Sequence, residues 1–277
     1  MRYNNHIFIN ISNTVVGITL FHTDAIAFFR DYLLEKENVD FDARTEEPLH
    51  CSDQVQNKAI ETGLDSTGIA IIKRGYGADQ FNARTEFETL VISVSDALIF
   101  HSRAVFHGVA FIWKERAWIF AAPSGTGKTT QYRNWKKLWG KEVEVICGDK
   151  PILYFGMCDA EKEDVFLEKK EDIIVYPSPW PGKEGYGGRH AAPLAGIIFL
   201  EQGERNDIRR MSKAEAVVPI FGQWFTFART EEQINLMCDL EEELINRVPV
   251  WKLTNVGDED SARLTRHVLE IYLRDEA

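Results

Sequence analysis

Two short stretches of this sequence carry residues that could handle phosphate. In "APSGTGKT", Ala122 to Thr129, glycines at 125 and 127 lead into Lys128 and Thr129. Glycines let the backbone curl so that successive N–H groups converge on one anion, and a helix starting there adds its partial positive charge. Lys128 can reach the β- and γ-phosphates of a nucleotide, and the Thr129 hydroxyl can ligate magnesium. Ser124, Thr126 and Thr130 complete the set expected to touch the nucleotide. Alanine at 122 replaces the first glycine of the strict pattern. A chance glycine turn before a helix is the competing explanation. The apolar run before the loop and the helical pattern after it supply the context that the motif demands.

The second stretch is "VEVICGDK", which places Asp149 directly after a β-rich run and about twenty residues beyond the loop. A carboxylate there can hold the metal ion, and in a kinase it can also take the proton of the attacking hydroxyl. An Asp in a polar turn is the plainer reading of "GDKP". His107, in "FHGVAF", precedes Lys128 by 21 positions. A hairpin about "KER" would bring it to the rim where the loop begins, although a lone strand histidine is as often structural. "PSPWPGKEGYGGRH" sets Lys183, Glu184, Arg189 and His190 among four glycines, with Trp180 and Tyr186 as apolar anchors. Such a loop could close as a lid over a phosphate, or simply cover the surface. In "FLEQGERN", Glu204 and Arg205 end a strand, either at the site's edge or as solvated turn charges.

Strands and helices must bring these residues together. "HIFINIS" and "TVVGITLF" read as strands and "TDAIAFFRDYLLEKE" as a helix, followed by a polar, irregular connection over 37–66 and further strands in "GIAIIKR" and "FETLVISV". These make a small α+β unit over residues 1–95. From 96 to 277 the pattern becomes that of an α/β domain. Strands in "RAVFHGVAFIW" and "RAWIFAAP" precede the loop, "GKTTQYRNWKKLWG" is a helix closed by Gly140, and "EVEVICGDKPILYF" is strand, break, strand. A strand in "DIIVY" and another over Gly196 to Leu200 flank the second glycine-rich loop. Helices follow at 212–220, 231–247 and 259–273, with the strand "PVWKLT" between the last two.

Composition narrows the classes further. Apolar residues are 44% and charged residues 27% of 277, enough for a large buried core. A net charge of -11 argues against bulk nucleic-acid binding, which wants a basic face. None of Cys51, Cys147, Cys158 and Cys238 forms a CxxC pair, so reduced thiols are expected. No apolar run approaches the ~20 residues that span a bilayer. The N-terminus lacks a signal-peptide pattern, so the expected location is cytoplasmic.

Taken in order, "HGV", the strand into "PSGTGKT" and the Asp after the next apolar strand resemble the HPr kinase/phosphorylase superfamily, whose nucleotide core is shared with phosphoenolpyruvate carboxykinases. "HGVAFIWKERAWIFAAPSGTGKTTQ", "GDKPIL", "PWPGKEGYGG" and "IIFLEQGERN" look more narrowly like the HPr-kinase-related proteins of peptide-maturation systems, lasso-peptide kinases among them. The resemblance covers roughly residues 100–220. It implies a P-loop nucleotide-binding core preceded by the small N-terminal unit. It also implies transfer of the γ-phosphoryl of ATP, with magnesium, to a serine of a peptide or small protein, such as a precursor's C-terminal Ser. His107 would sit beside the transferred phosphate, Lys128 and Thr129 would hold phosphate and metal, and Asp149 would serve as ligand or base. Lys183 joins them as the lid cation. A homo-oligomer is implied as well; that no nucleic-acid or membrane partner is expected comes from the charge and the apolar runs. One position departs from the family: two adjacent aspartates are usual where this chain has Gly148-Asp149-Lys150. Either one carboxylate does both jobs or a nearby His or Glu is the base. Two other readings stay open: a kinase of free serine or a similar small molecule, and a nucleotide-binding regulator without turnover.

Overall fold

The computed structural model describes residues 6–34, 62–64, 70–72, 82–156, 172–228 and 230–275. Most of the 37–66 connection, the flanks of "GIAIIKR", Cys51 and Cys158 lie outside the described residues.

Strands β1 (His6–Ile11) and β2 (Thr14–Thr19) form a hairpin turned by Ser12 and Asn13, both at positive φ (50° and 62°). Two left-handed residues in a two-residue turn match the right-handed twist of the strands they join. With β3 (Thr62–Leu64) and β4 (Ala70–Ile72) they make a four-stranded sheet in the order β1-β2-β4-β3. β3 thus falls within the stretch expected to be irregular. The expected helix after β2 is a 3₁₀ helix, Thr23–Tyr32.

"FETLVISV" is not a strand: it lies inside helix α1 (Ala83–Leu98). Its β-branched residues suggest a strand, but Phe87, Leu90, Val91, Val94 and Leu98 recur at helical spacing and are all buried. Asn82 starts the helix, its side chain accepting from the Thr85 amide at 2.9 Å. Residues 95 and 96 lie within α1. The helix shares one apolar cluster with Ile9 and Phe29 on one side and with Val105, Ile152 and Trp180 on the other.

The larger sheet has nine strands among the described residues and is mixed. Its members are β5 (Arg103–Val105), β6 (Gly108–Trp113), β7 (Arg116–Ala121), β8 (Glu144–Cys147), β9 (Ile152–Tyr154), β10 (Ile174–Tyr176), β11 (Ala192–Gln202), β12 (Asp207–Arg210) and β13 (Val250–Asn255). The order is β5-β9-β10-β11-β7-β6-β8, with β13 beside β11 and β12 beside β13. β7, β11 and β13 are parallel, while β6 runs antiparallel to both β7 and β8. Side chains alternate along β7 to serve two cores. Ala117, Ile119 and Ala121 pack with Ala216 and Ile220 of α3 (Lys213–Phe221) and with Met237, Leu240 and Leu244 of α4 (Glu231–Arg247). Trp118 and Phe120 pack with Tyr132 and Trp135 of α2 (Lys128–Trp139) and with Ala262 and Leu269 of α5 (Glu259–Asp275). A fully buried ring such as Phe111 or Phe120 contributes about 1.5–3 kcal/mol by removal from water. Helices on both faces of the central strands leave the carboxyl edge of the sheet open.

Candidate phosphate-binding site

At that edge the loop 122–127 leaves β7 and α2 begins at Lys128. In open α/β sheets the carboxyl edge is where ligands sit. Gly125 and Gly127 adopt φ of 83° and 113°, a conformation costly for any side chain. A Cβ on either would meet nothing within 4 Å, so open space faces the start of α2. Lys128 folds back over the loop, its Nζ donating to the carbonyls of Ala122 at 2.7 Å and Pro123 at 3.3 Å. Burial lowers its pKa; Asp149 opposes that shift and the nearby charge of Lys150 adds to it. Thr126 closes the turn with Oγ1 donating to Pro123 at 2.9 Å. Ser124 and Thr130 are exposed and Thr129 half-buried.

Asp149 and His107 meet beside this loop. Oδ1 of Asp149 lies 3.4 Å from His107 Nε2, and Oδ2 lies 2.5 Å from Lys150 Nζ. Burial works to raise the Asp149 pKa, but the bonds from His107 and Lys150 outweigh it and leave the carboxyl at about 2. The backbone fixes this meeting. Phe106 N donates to Pro151 O at 3.0 Å and Gly108 N to Asp149 O at 2.9 Å, so the two segments run side by side. Buried Gln223 completes the frame: its carbonyl accepts from His107 N at 2.8 Å. With its amide nitrogen turned toward them, it donates to the carbonyls of His107 at 3.1 Å and Ala122 at 3.3 Å. Gln223→Leu keeps the bulk and removes these donors, and is expected to cost about 1–2 kcal/mol in denaturant unfolding.

The second glycine-rich loop is a wall of this site rather than a free lid. Trp180 anchors its start: the ring is buried, stacks on Phe87 and donates from Nε1 to Phe87 O at 2.8 Å. Further on, Gly148 N donates to Tyr186 O at 2.8 Å and Gly188 N to Ile146 O at 2.9 Å, while Gly187 bridges Cys147. The loop therefore extends the sheet along β8. Gly148, Gly182 and Gly188 allow the approach. A Cβ on Gly148 would lie 2.7 Å from Pro181 O, and one on Gly182 would lie 2.8 Å from Asp149 Cβ. The exposed turn at 183–185 is tied down as well. Glu184 pairs with Arg133 of α2, which also donates to the Tyr186 hydroxyl at 3.2 Å.

The remaining sequence candidates are spread out. Lys183 is exposed beside Gly182 and makes no hydrogen bond or ion pair among the described residues. His190 pairs with Glu144 at 2.5 Å, at the start of β8. Glu144 starts β8 and Asp149 follows its end, so His190 pairs at the opposite end of that strand from the Asp149 cluster. Arg189 is exposed near His190, and Glu204 and Arg205 are exposed in the turn between β11 and β12. Spacing alone did not point to Lys150 or Gln223. The cation next to the acid was visible in "GDKP", whereas Gln223 carries no local signal.

On the other side of the loop opens a cavity of about 760 Å³, between Pro123–Thr126 and the ends of β11 and β13. Leu200, Met211 and Pro219 give it apolar lining. Two ion pairs border it: Lys252 with Glu201 and Arg209 with Glu215, each at 2.8 Å. The oxygen donors near the loop, Thr129 and Asp149, suit magnesium, which takes one or two carboxylates and completes its shell with phosphate and water. Among the described residues no group of three or more His, Cys, Asp or Glu gathers as a metal cage.

No family model matches the chain, and no curated protein matches it. Among solved structures it is similar to the Hpr(Ser) kinase/phosphatase from Coxiella burnetii, at 12% identity and a TM-score of 0.32, over 62% of this chain and 96% of that one.

Proposed function

We propose that this chain is a magnesium- and ATP-dependent phosphotransferase that moves the γ-phosphoryl group to a serine hydroxyl of a peptide or small protein. One observation carries the reading. The glycine loop lies between a charged cluster, His107–Asp149–Lys150, and a cavity of nucleoside size. Phosphates cradled on the loop would point their terminal group toward the cluster and the nucleoside toward the cavity. The serine acceptor, the peptide class and the choice of ATP rest on the resemblance of four ordered sequence motifs.

In this reading each residue has a positional task, as phosphoryl transfer requires. The amides of 125–129 and Lys128 hold the phosphates, which requires Lys128 to leave the carbonyls of Ala122 and Pro123. Thr129 and Asp149 would hold magnesium, which supplies charge neutralisation on the phosphate oxygens. His107 lies beside Asp149 and faces the transferred group. The second glycine-rich loop walls the Asp149 side, Gly182 packing against Asp149 and Pro181 against Gly148. Among the described residues no helix is long and apolar enough to cross a membrane.

The cavity gives a direct test of how the nucleotide lies. Met211→Trp would fill the apolar part of the cavity while leaving the loop alone. Calorimetric titration is expected to show ATP affinity reduced about tenfold or more and tripolyphosphate affinity unchanged. Equal affinities of the variant and the parent for ATP would move the nucleoside elsewhere.

A further inference from the structure

Lys150 is held in a manner that the Asp149 pair alone does not explain. Its side chain is 18% exposed and its ammonium lies 4.9 Å from the Phe225 ring, so the cation is largely withdrawn from water. Among the described residues its one anionic partner is Asp149, which also faces His107. Lys150 and His107 thus share one carboxylate, while the buried Lys128 is held only by the carbonyls of Ala122 and Pro123, in a chain with a net charge of -11. A second carboxylate cannot come from position 148, because a side chain there would run into Pro181 and Tyr186. Partly buried cations that outnumber their anions define an anion site. It lies at the mouth of a loop whose amides face open space.

We propose that Lys150 is a catalytic residue whose ammonium leaves Asp149 to bind the terminal phosphoryl group of a bound nucleoside triphosphate, opposite Lys128. This assignment rests on the phosphotransferase reading and deepens it. In the transfer, the bond between the γ-phosphorus and the β–γ bridging oxygen breaks and a bond from the seryl oxygen to phosphorus forms. ADP keeps the electron pair of the broken bond, and the seryl proton ends in solvent. Lys150 stays protonated and bound to the oxygens of the moving group, and its departure frees Asp149 Oδ2 for the metal or the hydroxyl. The alternative is that Lys150 only holds the Asp149 carboxylate in place.

Affinities for ATP and ADP, measured by calorimetry with magnesium, separate the two. Lys150→Met is expected to weaken ATP binding about 10- to 100-fold and to leave ADP within about twofold, since only ATP presents the γ-phosphate. Lys150→Arg should restore most of the ATP affinity, because its charge can reach the same oxygens. Lys150→Gln, with circular dichroism and melting, guards against a folding defect in the Met variant. Equal losses for ATP and ADP, or no loss for either in folded Met and Gln variants, would overturn the assignment while leaving the phosphotransferase reading intact. Failure of the parent protein to bind either nucleotide would overturn both.

Discussion

Asp149→Asn is expected to lower phosphoryl transfer about a thousandfold or more while ATP affinity stays within about threefold. Asparagine keeps the shape and can still accept from His107, but it removes the negative charge that lies between His107 and Lys150. The site becomes more positive, so an anionic nucleotide is not repelled. What is lost is the ligand for magnesium and the acceptor aimed at the incoming hydroxyl. A carboxyl at about 2 is a weak base while His107 and Lys150 hold it. In the proposed role, Lys150 turning to a phosphate would remove one of the two bonds that hold its pKa down, and so couple activation of the hydroxyl to the presence of nucleotide. The pH sign follows. The folded pKa lies below the ordinary 3.8, so the carboxylate favours the fold above about pH 4, and that contribution fades as pH falls toward 2. Loss of activity between pH 7 and 5 would therefore have another source. Turnover and calorimetry on the same variant check the prediction; transfer at the parent rate would remove Asp149 from the chemistry.

Gly148→Asp, which writes in the second aspartate that the HPr kinase resemblance leads one to expect, is expected to break the site rather than improve it. A Cβ at 148 would lie 2.7 Å from Pro181 O and 2.9 Å from Tyr186 Cβ. The obstacle is space: these are backbone and anchored atoms, and Gly148 N is itself bonded to Tyr186 O at 2.8 Å. The wall of the site would have to move away from Asp149, at a cost of about 2–4 kcal/mol. For a chain of this length that lowers the melting temperature by roughly 5–15 °C. Transfer should fall with it even at low temperature, because Gly182 no longer seats against Asp149. A variant that melts with the parent and turns over faster would show that the close approach of 148 and 181 is not a feature of the working site.

The parts legible in the sequence are those whose cause is local. Helices α3 and α4 announce themselves by capping boxes, Ser212 with Glu215 and Thr230 with Gln233, ahead of apolar runs at helical spacing. The strand, glycine loop and helix around Lys128 follow from neighbours within a dozen residues. α1 was misleading because its interior is rich in β-branched residues, and burial against two partners outweighs their weak preference for strands. The glycines of 182–188 suggest mobility, yet Gly182 and Gly188 serve close contact with Asp149 and with Val145. Those partners lie more than thirty residues away, so spacing could not reveal them. The same holds for Gln223, whose carbonyl meets His107 across more than a hundred residues, and for His190, drawn off by Glu144. The cavity is built from β11, β13, α3 and the loop together, and no single segment encodes it.

The central claim is that the edge holding Lys128, His107 and Asp149 transfers a phosphoryl group to serine. The most direct measurement follows the γ-phosphoryl of labelled ATP, with magnesium, in three parallel reactions: with Ser-ending peptides, with free serine and with no acceptor. The account predicts that label moves to a peptide's seryl oxygen, located by mass spectrometry, with the parent protein and not with Asp149→Asn. Label found on free serine and never on a peptide would correct the acceptor class. ATP that binds and keeps its label in all three reactions would contradict the account and leave a nucleotide-binding regulator in its place.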